Sequence, residues 1–121
     1  MTRPVYRFDE IEWHLPAGAG ADLEAARAAA ALGVARKYYA QGEAGFFVQV
    51  VRFPAGFETP PHSHDHSEVF VVLEGSCIFD GESMDVHDST VVEADTKYGF
   101  TAGPDGVTLL VVRTGAATVT L

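Results

Sequence analysis

From Val34 to the C-terminus, apolar and polar residues follow one another in the manner of β-strands. The segments VARKYYA, FFVQVVRF, VFVVLEG, CIFDG, STVVEA, KYGFTAG and VTLLVVRTG are short and rich in Val, Phe, Tyr and Thr. Turn signals built from Gly, Pro, Asp and their like separate them, at 42–45, 54–56, 74–75, 80–81, 87–88, 103–105 and Gly115. Many short strands at regular spacing predict an all-β sandwich or barrel. The first third of the chain differs. Residues 19–33, AGADLEAARAAAALG, are alanine-rich, with Asp22 placed to cap a helix and Gly33 to end it. The preceding MTRPVYRFDEIEWHLPAGAG reads as an extended arm with a turn at 16–20. One domain is expected, with an N-terminal arm and helix over 1–33 and a β-barrel over 34–121.

Size and charge narrow the function classes. At 121 residues the chain suits a single domain. A chain of this size buries roughly 70% of its unfolded surface, so no covalent staple is required. Cys77 is the one cysteine, which rules out an intramolecular disulfide and suits a reducing compartment. No apolar run has the length of a membrane span, and MTRPVYRFDEIEW carries charges where a signal peptide has its apolar core. A cytoplasmic protein is expected. The net charge of −9 repels phosphates, so neither nucleic acid nor an anionic membrane is an expected partner.

The chemistry concentrates in GFETPPHSHDHSEVFVVLEG, residues 56–75. Three of the chain's five histidines, His62, His64 and His66, stand at alternate positions. Residues i and i+2 of a strand face one side, so His62 and His64 converge. A turn at 65–67 would bring Glu68 back to the same side at the start of the next strand. Pro60 and Pro61 stiffen the approach. Two imidazoles and a carboxylate suit a borderline divalent cation.

The spacing Gly56, five residues, His62, one, His64, three, Glu68, six, Gly75 resembles the first motif of the cupin superfamily. The resemblance covers roughly 46–112. It implies a single-domain antiparallel jelly-roll β-barrel and a metal, Fe, Mn, Zn, Ni or Cu, on His62, His64 and Glu68. The second cupin motif keeps its frame but not its residues. His87 and Glu93 stand for a glycine and a proline, and Asp95 for the second glycine. Tyr98 takes the place of the fourth ligand, a histidine, and Ala102 that of an asparagine. A phenol is a poorer ligand than imidazole, which leaves a 2-His-1-Glu set with open coordination positions. Tyr98 is then a candidate proton donor or orienting group. His66 is expected to take a surface or supporting role, because it falls in the turn.

The resemblance implies a metal-dependent small-molecule enzyme of the cupin type: an oxygenase such as a dioxygenase-like enzyme, an isomerase, a cyclase or a lyase. The alternative is a non-catalytic cupin, a sensor or structural protein with vestigial ligands. Phe46, Phe70, Phe79 and Phe100 are candidate cavity lining or plain core. Cys77 reads as a small core residue, while Gln49, Arg52 and Lys97 have no assigned face. Tyr6, Phe8 and Ile11 alternate along the arm, which is expected to add a strand to a neighbour's sheet and make a homodimer.

Overall fold

The computed structural model describes residues 3–15, 28–29 and 31–116. Six strands carry the fold: β1 (Ala35–Gln41), β2 (Phe47–Phe53), β3 (Glu68–Phe79), β4 (Glu82–Met84), β5 (Ser89–Val92) and β6 (Phe100–Arg113). All pairings are antiparallel, in the order β1-β2-β6-β3-β4, with β5 also on β3. The all-β jelly-roll architecture is as the sequence predicts. The sheet does not close into a ring among the described residues, which corrects the expectation of a closed barrel.

Local chemistry explains several connections. Asp80 and Gly81 join β3 to β4 with φ of 48° and 84°, the pair of left-handed conformations that a two-residue hairpin requires. The expected turns at 74–75 and 103–105 are instead bends inside long strands. The first half of β3 pairs with the end of β6, from Glu68↔Arg113 to Val72↔Leu109. The second half pairs with its beginning, from Cys77↔Ala102 to Phe79↔Phe100, and the register shifts twice between them. Gly75 makes this corner possible. Its φ is +73°, and a Cβ there would lie 2.1 Å from the Gly106 carbonyl oxygen.

The strand register builds one inward face. Tyr38, Gln49, Val111 and Phe70 form one cross-strand row, and Arg36, Val51, Leu109 and Val72 the next. Leu109 and Val72 are fully buried, each contributing about 1.5–3 kcal/mol by leaving water. Aromatic rings fill the space between the sheet's two arms. Phe79 stacks on Tyr98 at 5.3 Å and on Phe100 at 5.8 Å, and Phe70 lies 5.1 Å from Phe79. Phe70, Phe79 and Phe100 are therefore packed core, Phe100 also lining part of a cavity beside Tyr98, and Phe46 is exposed.

The arm lies on its own chain. His14 pairs with Arg36 through two backbone hydrogen bonds of 2.7 and 2.8 Å. Lys37 Nζ donates to the Phe8 carbonyl at 2.6 Å and sits 3.7 Å from the centre of the Phe8 ring. The Arg52 guanidinium covers Trp13 at 4.1 Å. Asp22 and most of the helix expected over 19–33 lie outside the described residues. Its end is described: Leu32 N–H bonds Ala28 and Ala29, and Gly33 stops the helix at φ +98°. No helix among the described residues is long and apolar enough to cross a membrane.

Candidate metal centre

The segment leading to the histidines runs antiparallel to the entry into β6. Thr59 N–H donates to Phe100 at 2.9 Å, and His62 and Tyr98 exchange backbone hydrogen bonds of 3.0 and 2.9 Å. Pro60 and Pro61 sit in this edge segment, where a missing N–H breaks no central ladder. The chain then crosses toward β3. Asp95 N–H donates to the His64 carbonyl at 2.7 Å, and Ala94 N–H donates to Ser67 Oγ at 3.1 Å. The expected hairpin at 65–67 does not form, because His62 pairs with Tyr98 and not with β3.

That crossing brings His64, His66 and Glu68 together. All three are buried, and one potential ligand atom from each lies within 4.8 Å of the others. His66 is not on the surface, which corrects that part of the expectation; its exposure is 7%. Its Nδ1 lies 3.0 Å from Asp65 Oδ1, which sets the tautomer with Nδ1 as donor. Its Nε2 is buried without a hydrogen-bond partner. Of the three ligands expected from the sequence, the structure joins His64 and Glu68. His62 stands beside them: its Nδ1 lies 2.9 Å from the Pro60 carbonyl, and its ring is 5.0 Å from that of His64.

Glu68 is held at both oxygens. Oε2 accepts from Arg113 Nε at 2.7 Å, while Oε1 accepts from Tyr98 OH at 3.3 Å and lies 3.3 Å from His64 Nε2. Tyr98 OH is also 3.1 Å from His64 Nε2. Burial, and then the Glu68 charge, push the Tyr98 phenol far above its ordinary value, so it keeps its proton at neutral pH. Gln49 proves to face inward. Its carboxamide oxygen, turned toward Arg113, accepts at 2.6 and 3.2 Å; turned the other way it would reach Arg36 Nη1 only at 3.4 Å. The shorter pair decides the orientation.

Sequence reasoning missed Arg113 and left His66 between a surface and a supporting role. Arg113 is 45 positions from Glu68, and only the β3–β6 register sets them opposite. For His66 a signal was present in the carboxylate immediately before it. The remaining candidates lie elsewhere. Cys77 is buried in the core, where burial raises its thiol's pKa. His87 is exposed in a turn at φ +75°, and Arg52 lies over Trp13. Lys97 helps line a cavity of about 370 Å³ beside Tyr98, which no member of the cluster lines.

The residues fit a divalent cation: two imidazoles and a carboxylate in one buried place, one ring nitrogen unpartnered, and its opposite nitrogen tied to a carboxylate.

No protein-family model and no curated protein sequence matches the chain. Solved structures do. KdgF from a Halomonas species superposes with a TM-score of 0.69 at 22% identity, over 95% of this chain and 96% of that one. An RmlC-like cupin from Shewanella frigidimarina gives 0.72 at 21% identity, over 95% and 93%. The polyketide cyclase RemF from Streptomyces resistomycificus gives 0.70 at 20% identity, over 98% and 84%. At these identities the likeness concerns the fold, and the fold is that of the RmlC-like cupins.

Proposed function

We propose that the protein is a metal-dependent cupin acting on a small molecule, with a divalent cation on His64, His66 and Glu68. The observation that carries this reading is His66. A buried ring nitrogen without a partner costs about 1–3 kcal/mol. A cation at that point would turn the cost into a bond. Asp65 orients the ring for it, as carboxylates do for metal-bound histidines. Three protein ligands leave open positions, and a cation so held polarises a carbonyl or lowers the pKa of water.

The chain's own residues supply the rest. Arg113 fixes Glu68 through Oε2 and leaves Oε1 facing His64. Tyr98 holds a proton at its hydroxyl, 3.1 Å from His64 Nε2, in position to hydrogen-bond or protonate a bound oxygen. Isomerisation, cyclisation, elimination and oxygenation all fit this arrangement, and a polyketide cyclase shares the fold. One observation favours the alternative of a non-catalytic cupin: Tyr98, His64, Glu68 and Arg113 already bond one another.

Metal analysis separates the two. Protein purified without a nickel column should carry, or take up on titration, about one ion per chain. His66→Ala should lose it, and His62→Ala should lose less. A chain that binds no Fe, Mn, Zn, Ni or Cu, or a His66→Ala variant that binds as well as the parent, overturns the reading.

A further inference from the structure

The inward face carries more positive charge than it compensates. Arg36 and Arg113 both contact Gln49, whose single carbonyl oxygen serves only one of them well. Arg113 is paired with Glu68. Arg36 is not so served: among the described residues no ion pair involves it, and its Nε is buried without a hydrogen-bond partner. Burial lowers its pKa most; Tyr38, which hydrogen-bonds it, pushes the other way, and the Arg113 charge lowers it again. The register puts Arg36 on the face of Gln49, Val111 and Phe70. Gln49 gives its oxygen to Arg113, which holds Glu68 beside His64, so Arg36 stands next to this chain of polar groups with its own Nε unmet.

A half-buried guanidinium with no carboxylate partner and one buried N–H unmet is costly unless an anion meets it. We propose that Arg36, with Arg113 beside it, anchors the carboxylate of a small organic acid, so that the substrate of the metal centre is an anion. A guanidinium presents its Nε–H and an Nη–H as a fork matched to two carboxylate oxygens, and the Nε of Arg36 is the free tine. The inference rests on the metal-site reading only for the word substrate; the anion site itself is made of arginines.

The test uses propionate against its uncharged isostere propionamide at constant ionic strength. Affinities are read by titration in EDTA and again with zinc. Propionate should bind under both conditions and propionamide should not. Arg36→Met should weaken propionate in EDTA by about tenfold or more, the loss of a charge-assisted hydrogen bond, and leave zinc affinity unchanged. Its melting temperature without ligand should equal or exceed the parent's, because an unpaired buried charge has been removed. Arg36→Lys should keep the charge, lose the fork and fall between. Propionate and propionamide binding alike, or Arg36→Met binding propionate as the parent does, overturns the proposal. Zinc uptake without propionate binding sinks this inference alone. Propionate binding through Arg36 without zinc uptake sinks the metal reading alone.

Discussion

Breaking the Glu68–Arg113 pair is the sharpest perturbation that the geometry offers. Glu68 is 1% exposed and accepts from Arg113 Nε at 2.7 Å, and the arginine side chain is itself only 12% exposed. Such a pair gains little over an apolar pair of the same volume, yet losing one partner strands a buried charge at about 3–5 kcal/mol. Glu68→Gln keeps the shape and removes the charge, so about 3–5 kcal/mol is the expected loss. Unfolding entropies scale with length, so for 121 residues 1 kcal/mol moves the melting temperature by about 4 °C. Glu68→Gln should therefore melt about 12–20 °C below the parent in EDTA. Arg113→Met should lose a comparable amount, since Glu68 is then left against neutral partners. The double variant Glu68→Met/Arg113→Met should return to within about 1–2 kcal/mol of the parent, because no charge remains to be stranded. Urea unfolding of the four proteins in EDTA gives the coupling energy directly. If the single changes cost under about 1 kcal/mol and add in the double, Glu68 and Arg113 do not act as one buried pair.

Tyr98→Phe keeps the ring stack on Phe79 and removes the hydroxyl that meets Glu68 at 3.3 Å and His64 at 3.1 Å. It should cost about 1–3 kcal/mol in chemical denaturation, and an unchanged stability would show the hydroxyl bonds to be idle. Gly75→Ala places a methyl 2.1 Å from the Gly106 oxygen at φ +73°, so it should destabilise by at least about 2 kcal/mol, with Gly81→Ala, where no atom lies within 4 Å of the new methyl, losing less. Cys77 should resist alkylation in the folded protein at pH 8 and react once urea unfolds it. Its thiol titrates higher in the fold than the ordinary 9.0, so the unfolded chain releases that proton first. The contribution is complete below that value and declines as pH rises above it. Cys77→Ala should remove that part of the alkaline decline seen in pH-dependent melting curves.

The sequence by itself determined what depends on neighbours along the chain. Val- and Phe-rich segments between turn signals made the fold legible as all-β. Asp80–Gly81 announced a turn, and the structure makes it a hairpin, because few residue pairs accept two positive φ angles. The cluster at 56–75 marked the site before any geometry was known. Tertiary structure alone decided which histidines meet. Alternation along an extended chain gave His62, His64 and His66 the same parity, and the choice among them rested on a hairpin that does not form. His62 is instead drawn to Tyr98, and the segment 64–67 continues across to β3. The pairing of Glu68 with Arg113 and the gathering of Arg36 around Gln49 came from strand register, which joins residues far apart in the chain. Register is set by how both strands bury their apolar faces together, and no single segment contains that information. The bends at 74–75 and 103–105 read as strand ends for the same reason: a glycine opens the backbone to a reversal or to a corner, and only the partner strand selects between them.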